Sequence, residues 1–264
     1  MNDVNAKYCL VILSNHKYED LWHINLHYLR KNWPEIYDRT FIVTDKKIDA
    51  LIENISVISI ESPFFSERLH EALKKISAKF IVLLLDDYFL TKRIQNSKIE
   101  TIIKIMEVNN IDYVRLFKIP NQRKKQFDSN KKLYKLNINI NYSINLQPSV
   151  WNKESLLKIS QEFMNPWEFE VAIREKSLEN NYNCHATNGE ELPFNHGLLR
   201  GRFFRKTYRK IKQDGLIISG RKKMNIIEEL RYKFISFVAK ITPGRMKTLF
   251  KKILKKVGYK FYTK

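Results

Sequence analysis

A chain of 264 residues with 44% hydrophobic content can bury a substantial core, most simply as one α/β domain with an appendage. Two cysteines, Cys9 and Cys184, exclude a disulfide framework and a paired-cysteine metal site, and fit a reducing cytoplasm. The net charge of +20 is uneven: residues 200–264 hold 21 Lys/Arg against three acids, Asp214, Glu228 and Glu229, so a nearly neutral body precedes a segment that seeks polyanions. No basic region or small-residue cleavage site accompanies the first apolar run, and no stretch approaches the roughly 18 apolar residues of a bilayer span, so neither a signal peptide nor a membrane-spanning helix is expected.

The first predicted strand is Tyr8–Leu13, apolar throughout and ending on Ser14-Asn15-His16. Leu21, Ile24 and Leu29 then suggest a helix that closes near Trp33-Pro34, and Thr40–Thr44 forms a second strand with Asp45 at its tip. This rhythm opens a nucleotide-binding α/β sheet. An Asp there suits a ribose or base, and equally a turn cap. A third strand, Ile55–Ile60, and a helix over Ser66–Ile76 lead to Phe80–Leu85, an unbroken apolar run that stops on Asp86-Asp87. Such a run reads as a strand buried on both faces in the middle of a parallel sheet. Open α/β sheets bind ligands beyond the carboxyl ends of their strands. Two adjacent carboxylates there repel each other unless a cation sits between them, and Mg²⁺ or Mn²⁺ takes one or two carboxylates plus substrate phosphate oxygens. The alternative is a polar turn leading to the next helix.

A helix over Lys98–Glu107 and a strand over Asp112–Phe117 follow, with Arg115 placed either to pair with an acid near the strand tips or on a solvent-facing edge. Residues 118–135 are polar and read as a mobile loop. From Leu136 to Leu146 apolar residues alternate with Asn or Ser, the pattern of a half-buried strand with one polar face. Trp151 precedes a helix at Lys153–Ile159. Asn165-Pro166-Trp167-Glu168-Phe169-Glu170 then opens a helix running to about Glu179. Pro and acids in a first turn are ordinary capping chemistry. Trp167 and Phe169 nevertheless offer flat faces that stack on sugar rings, and a carboxylate beside such a platform can take a proton from an attacking hydroxyl. After a strand at Tyr182–Ala186, His196 lies in a Gly-flanked loop close to Arg200 and Arg202, an arrangement suited to a diphosphate and its metal and equally to a structural histidine.

LLLDDYFL, NLQPSVWNKESLL, PWEFE and HGLLRGR together give residues 7–202 a resemblance to bacterial glycosyltransferases of the GT-A fold, of the capsule and O-antigen (surface polysaccharide) type. The resemblance implies an α/β fold: a GT-A-like, Rossmann-type nucleotide-binding sheet with helices on both faces, followed by basic amphipathic helices. It implies a catalytic domain over 1–202, with a nucleotide-sugar half at 1–118 and an acceptor half at 119–202, then a basic segment at 203–264. By this resemblance Asp87 is the metal ligand with His196 as a further one, and Asp86 contacts ribose or a water on the metal. Ser14, Asn15 and Asp45 meet the base and nucleoside, Arg200 and Arg202 the diphosphate, and Trp151 and Trp167 the acceptor. Glu168 or Glu170 is the base of an inverting transfer. The cofactor implied is a divalent cation, Mn²⁺ or Mg²⁺. The partners are a nucleotide-sugar donor and a saccharide or polyprenyl-linked acceptor.

In the basic segment, Met246, Leu249, Phe250, Ile253, Leu254 and Val257 form one helical stripe among lysines, and Ile226–Ile241 repeats the theme. Such helices lie in a membrane interface, where each lysine near an anionic leaflet contributes on the order of 1 kcal/mol, or else pack their apolar stripe on the protein's own core and leave the lysines solvated. The expected location is the cytoplasm, peripheral on the inner face of the cytoplasmic membrane. A metal-dependent phosphotransferase or nuclease, or a basic nucleic-acid-binding protein, is the competing reading. No zinc spacing, RNP-type strand or helix-turn-helix pattern accompanies the charge, so nucleic acid is not the expected partner.

Overall fold

A computed structural model describes residues 6–47, 52, 55–117, 125–126 and 133–241. The chain divides into two compact units, Met1–Asn195 and His196–Lys264.

The first unit has the expected GT-A-like α/β architecture. Its strands are β1 (Tyr8–Leu13), β2 (Thr40–Thr44), β3 (Ser56–Ser59), β4 (Phe80–Leu85), β5 (Tyr88–Leu90), β6 (Tyr113–Arg115), β7 (Lys125–Gln126), β8 (Leu133–Lys135), β9 (Ser149–Asn152) and β10 (Cys184–Thr187). Among the described residues nine of these form one sheet in the order β3-β2-β1-β4-β9-β6-β10-β8-β7. Strands β3, β2, β1 and β4 run parallel, while β9 is antiparallel to both of its neighbours, β4 and β6. Because β1 has β2 on one side and β4 on the other, the order reverses between β1 and β4, the position beyond whose carboxyl ends open α/β sheets bind ligands.

Side-chain alternation explains why β1 and β4 read as solid apolar runs. Tyr8, Leu10, Ile12, Phe80, Val82 and Leu84 enter one core with helices α1 (Trp22–Asn32) and, after β5, α3 (Asn96–Val108). Cys9, Val11, Leu13, Ile81 and Leu83 enter the core on the opposite face, with α2 (Phe65–Lys75), α4 (Lys153–Ile159) and α5 (Pro166–Glu179). Helices thus cover both faces, and every side chain of β1 is buried.

Three expectations are corrected. The alternating stretch from Leu136 to Leu146 is a chain of turns: Asn137 Oδ1 accepts the Asn139 amide at 3.1 Å, Asn145 Oδ1 accepts the Gln147 amide at 3.1 Å, and Tyr142 has φ 62°. Asparagine side chains that bond their own backbone two residues on compete with strand pairing, and here they win. Arg115 is neither on an edge nor exposed. Strand β6 lies between β9 and β10, and the guanidinium, fully buried, donates to the carbonyls of Ser143 (2.9 Å) and Phe117 (3.1 Å) and to the Tyr134 hydroxyl (3.3 Å), anchoring that chain of turns. The stretch read as a loop over 118–135 contributes β7 and β8; residues 118–124 and 127–132 lie outside the described residues.

Strand β11 (Phe194–His196) ends on the first residue of the second unit. There a hairpin of β12 (Leu198–Leu199) and β13 (Arg202–Phe203) turns through Arg200 and Gly201, at φ 52° and 75°, the double left-handed bend that a two-residue hairpin of this hand requires. Helix α6 (Arg205–Gln213) follows, then α7 (Ile226–Ile241), which covers the segment expected to be helical. Asn225 caps α7 by accepting the Glu228 amide at 2.7 Å, and Glu228 accepts the Asn225 amide in return at 3.2 Å. The second expected amphipathic stripe, Met246–Val257, lies outside the described residues. Among the described residues no helix is long and apolar enough to cross a membrane.

Candidate functional site

The β1/β4 reversal is bridged by a hydrogen bond. The β1 strand ends at Leu13 and the next residue, Ser14, aims its hydroxyl at Asp86, the residue that follows β4, with Ser14 Oγ donating to Asp86 Oδ2 at 2.6 Å. The register makes this inevitable: Leu13 pairs with Leu85, so the two residues after them emerge side by side. Trp22 Nε1 donates to the same Ser14 oxygen at 2.7 Å, fixing the rotor of the hydroxyl. Asn25, buried on α1, donates to the carbonyls of Asp86 (3.1 Å) and Tyr88 (3.2 Å), which holds the Asp86-Asp87 turn at its place on the rim. Asp86 is therefore largely buried and committed to its neighbours, whereas Asp87 at the same turn is half-exposed.

Asp45, at the tip of β2, forms the second half of the rim. Its carboxylate accepts Asn15 Nδ2 at 2.7 Å, the His16 amide at 2.7 Å and His16 Nδ1 at 2.8 Å. Burial pushes this carboxyl up, but the amide and ring of His16, with the Asp45 amide, outweigh it and hold the group below the usual carboxylate range. Asp45 thus stays ionised and ties the loops after β1 and β2 into one wall. Beside it on α2, the Arg68 side chain is buried; burial lowers its pKa and the charge of Asp45 partly restores it. Arg68 Nη1 donates to the Ser62 carbonyl at 2.8 Å.

Glu168 and Glu170 have separate fates. Asn165 caps α5 by accepting the amides of Trp167 and Glu168, both at 3.0 Å, and Glu168 Oε2 accepts the Asn165 amide at 2.9 Å, a complete capping box. Glu170 lies half-buried two residues further on, where burial pushes its carboxyl up and a hydrogen bond from the Leu146 amide draws it partly back. Leu146 precedes Ser149, which pairs with Leu83, and Leu83 precedes Asp86 by the same three residues. Glu170 is therefore tethered to the segment entering β9 at the same rim of the sheet where β4 delivers Asp86 and Asp87.

The aromatic residues divide likewise. Trp151 is in the core, 1% exposed, with its ring 4.6 Å from that of Tyr113, and Phe169 is fully buried against Phe65. Both rings lie in the core. Trp167 is 51% exposed. His196, Arg200 and Arg202 belong to the second unit. There His196 is exposed, its carbonyl accepting Thr207 Oγ1 at 3.4 Å, Arg200 is exposed on the hairpin turn, and Arg202 Nη1 donates to both carboxylate oxygens of Glu228, at 2.8 and 2.9 Å.

Among the described residues no group of three or more His, Cys, Asp or Glu side chains could hold a metal ion by itself. Asp87, half-exposed on the turn that Asn25 and the Ser14–Asp86 bond fix, fits the open type of site, in which Mg²⁺ or Mn²⁺ takes one or two carboxylates and completes its shell with substrate phosphates and water. Sequence reasoning missed His16, Asn25 and Arg68. Arg68 left the clearest signal, a charge inside the apolar stripe of Phe65, Leu69, Ala72 and Leu73 on α2.

No protein-family model matches this sequence, and no curated protein matches it. Among solved structures it is similar to TarS of S. aureus at 14% identity and TM-score 0.50, covering 81% of this chain and 40% of that one. Residues 1–349 of TarS in complex with UDP-GlcNAc match at 14% identity over 71% of this chain and 57% of that one, TM-score 0.48. A cytidylyltransferase from Leptospira borgpetersenii serovar Hardjo-bovis matches at 11% identity over 84% of this chain and 100% of that one, TM-score 0.44. The likeness to TarS establishes a shared α/β fold.

Proposed function

We propose that the chain is a glycosyltransferase that moves a sugar from a nucleoside-diphosphate sugar to a saccharide or lipid-linked saccharide acceptor in cell-surface polysaccharide synthesis, with a divalent cation as cofactor. The observation that carries this reading is the Ser14–Asp86 hydrogen bond across the β1/β4 reversal, with Asp45 beside it and Asp87 beyond it on one rim. In this reading Asp45, Asn15 and Arg68 line the base and ribose end, and Asp86 orients the turn while Asp87 faces the diphosphate. The TarS fold and the determination of TarS 1–349 in complex with UDP-GlcNAc support a nucleotide sugar as the donor.

A divalent ion held by Asp87 would neutralise charge on the departing diphosphate, with Asp86 fixing the turn that carries Asp87. Glu170 takes the proton from the acceptor hydroxyl. The oxygen attacks the anomeric carbon as the bond to the diphosphate breaks, and configuration inverts. A carboxyl with a raised pKa suits this role, because a general base is most effective when its pKa approaches the working pH. Incubation with UDP-, GDP- and CDP-sugars and Mn²⁺ tests the reading: release of nucleoside diphosphate from at least one donor is expected, and release from none would refute it.

The basic second unit is proposed to hold the enzyme at an anionic cytoplasmic membrane. Ile226, Ile227, Leu230 and Phe234 are 57–78% exposed along one side of α7, and basic residues of α6 add charge. Sedimentation with phosphatidylglycerol vesicles is expected to be salt-reversible and to be lost in Ile227→Glu/Leu230→Glu. Equal sedimentation of variant and wild type would remove α7 from the contact.

A further inference from the structure

A cluster of outward-facing aromatic rings occupies the place where the amino-terminal ends of α2 and α5 meet. Phe64 is 39% exposed, Phe163 64% and Trp167 51%. A single exposed ring is ordinary, but several on adjoining turns are not explained by burial. The core beneath is already served: Phe65, Met164 and Phe169 alternate with them in sequence and point inward.

The backbone that carries the cluster is pinned. The Ser66 hydroxyl donates to the Glu162 carbonyl at 2.5 Å and accepts the Met164 amide at 2.8 Å, and the Ser66 amide donates to the Met164 carbonyl at 3.2 Å. The Phe65 and Phe169 rings pack 5.6 Å apart below. On that base Phe64 and Phe163 lie face to face, centroids 5.3 Å apart and planes 25° from parallel. The Phe64 and Phe163 rings are thus set in place before any ligand arrives, which lowers the entropy cost of binding.

We propose that Phe64, Phe163 and Trp167 form a stacking platform for a pyranose ring of the acceptor, an inference that rests on the glycosyl-transfer reading. Flat aromatic faces match the C–H faces of sugar rings, whose hydroxyls stay in water at the edges. The surroundings supply those polar edges: Gln161, Glu162 and Glu168 are exposed, and Asn165 lies between Phe163 and Trp167. Glu162 is paired with Lys176 at 2.5 Å, so the charge of that lysine is offset beside the cluster. Position ties it to the chemistry as well. Trp167 and Glu170 are three residues apart on α5, a spacing that sets their Cβ atoms about 5–6 Å apart. A sugar seated on the platform lies beside the group proposed to deprotonate it.

The fluorescence of the protein reports on this surface directly, because Trp22, Trp33 and Trp151 are buried and Trp167 is the exposed tryptophan. Acrylamide quenching is measured with and without methyl glycosides of glucose, galactose and N-acetylglucosamine, and with short oligosaccharides of the same sugars. At least one is expected to shield the accessible emission in the wild type, and Phe64→Ala/Phe163→Ala is expected to weaken that binding about tenfold without lowering Tm. Shielding by none of the sugars, or shielding by phosphatidylglycerol vesicles in their place, overturns the platform. Nucleotide-sugar hydrolysis by the wild-type chain is scored separately, so hydrolysis without shielding rejects the platform and leaves the donor reading intact.

Discussion

Asp87→Asn is expected to lower sugar transfer about a thousandfold while leaving the fold intact. The turn that carries Asp87 is fixed by other groups: Asn25 holds the Asp86 and Tyr88 carbonyls, and Ser14 holds the Asp86 carboxylate. Exchanging a half-exposed carboxylate for an isosteric amide at such a turn changes stability by roughly 0.5 kcal/mol or less. Its effect on catalysis is different in kind. A carboxylate facing a diphosphate contributes through the cation that both share, worth several kcal/mol of charge stabilisation, and about 4 kcal/mol corresponds to about three decades of rate. The loss should be accompanied by a higher Mn²⁺ requirement, read from the metal dependence of donor hydrolysis.

Asp86→Asn is the informative partner. Its carboxylate accepts Ser14 Oγ, which in turn accepts Trp22 Nε1, so the substitution disturbs a buried chain of hydrogen bonds and should reduce Tm as well as activity. Equal Mn²⁺ dependence in wild type and Asp87→Asn would move the metal-ligand role away from Asp87.

The second large effect is at Glu170. Glu170→Gln should reduce transfer by about 10²–10⁴-fold, the range for removal of a general base. Stability should move the other way. A carboxyl whose folded pKa is raised costs stability at every pH above its unfolded pKa, and that cost disappears as the pH falls and the group is protonated. Glutamine is neutral and its side-chain oxygen can still accept the Leu146 amide, so Tm at neutral pH should hold or rise. For the same reason the acid limb of the wild-type rate profile should lie above the ordinary glutamate range, with transfer falling as Glu170 takes up its proton. Glu168→Gln preserves a capping box and should keep both Tm and rate. Full activity in Glu170→Gln, with loss in Glu168→Gln, would exchange the two roles.

The sequence displayed the centre of this fold well because the physics there is one-dimensional. Strands β1 and β4 are buried on both faces, so every residue is apolar and the ends of the runs mark the rim, where Ser14 and Asp86 emerge. The same logic located α4 and α7 at their observed limits. Where the outcome depended on competition, the pattern misled. The alternation from Leu136 to Leu146 satisfies a strand template, yet its asparagines offered the backbone nearer partners. Arg115 read as the partner of an acid near the strand tips or as a solvent-facing edge residue because a buried guanidinium is costly, and only the fold brings together the Ser143 and Phe117 carbonyls that satisfy it. At the site, Asp45 and Asp86 were visible as acids at strand tips, whereas His16 acquires meaning only from its bonds to Asp45. Glu168 and Glu170 could not be told apart in sequence, since both are acids near a helix start; the capping box separates them. Phe64 and Phe163 are ninety-nine positions apart, and nothing local in either segment announces that their rings stack.

The most direct test of the nucleotide-sugar site is thermal denaturation of the wild-type chain and Asp87→Asn in the presence of UDP-, GDP- and CDP-sugars, with and without Mn²⁺. Saturation at about a hundred times Kd stabilises a folded protein by about 2.7 kcal/mol, which for a chain of this size is roughly 5–10 °C in Tm. The account predicts such a rise for at least one donor in the wild type with Mn²⁺, reduced when Mn²⁺ is omitted or Asp87 is replaced. A Tm that no nucleotide sugar moves, in the presence or absence of the ion, would contradict it.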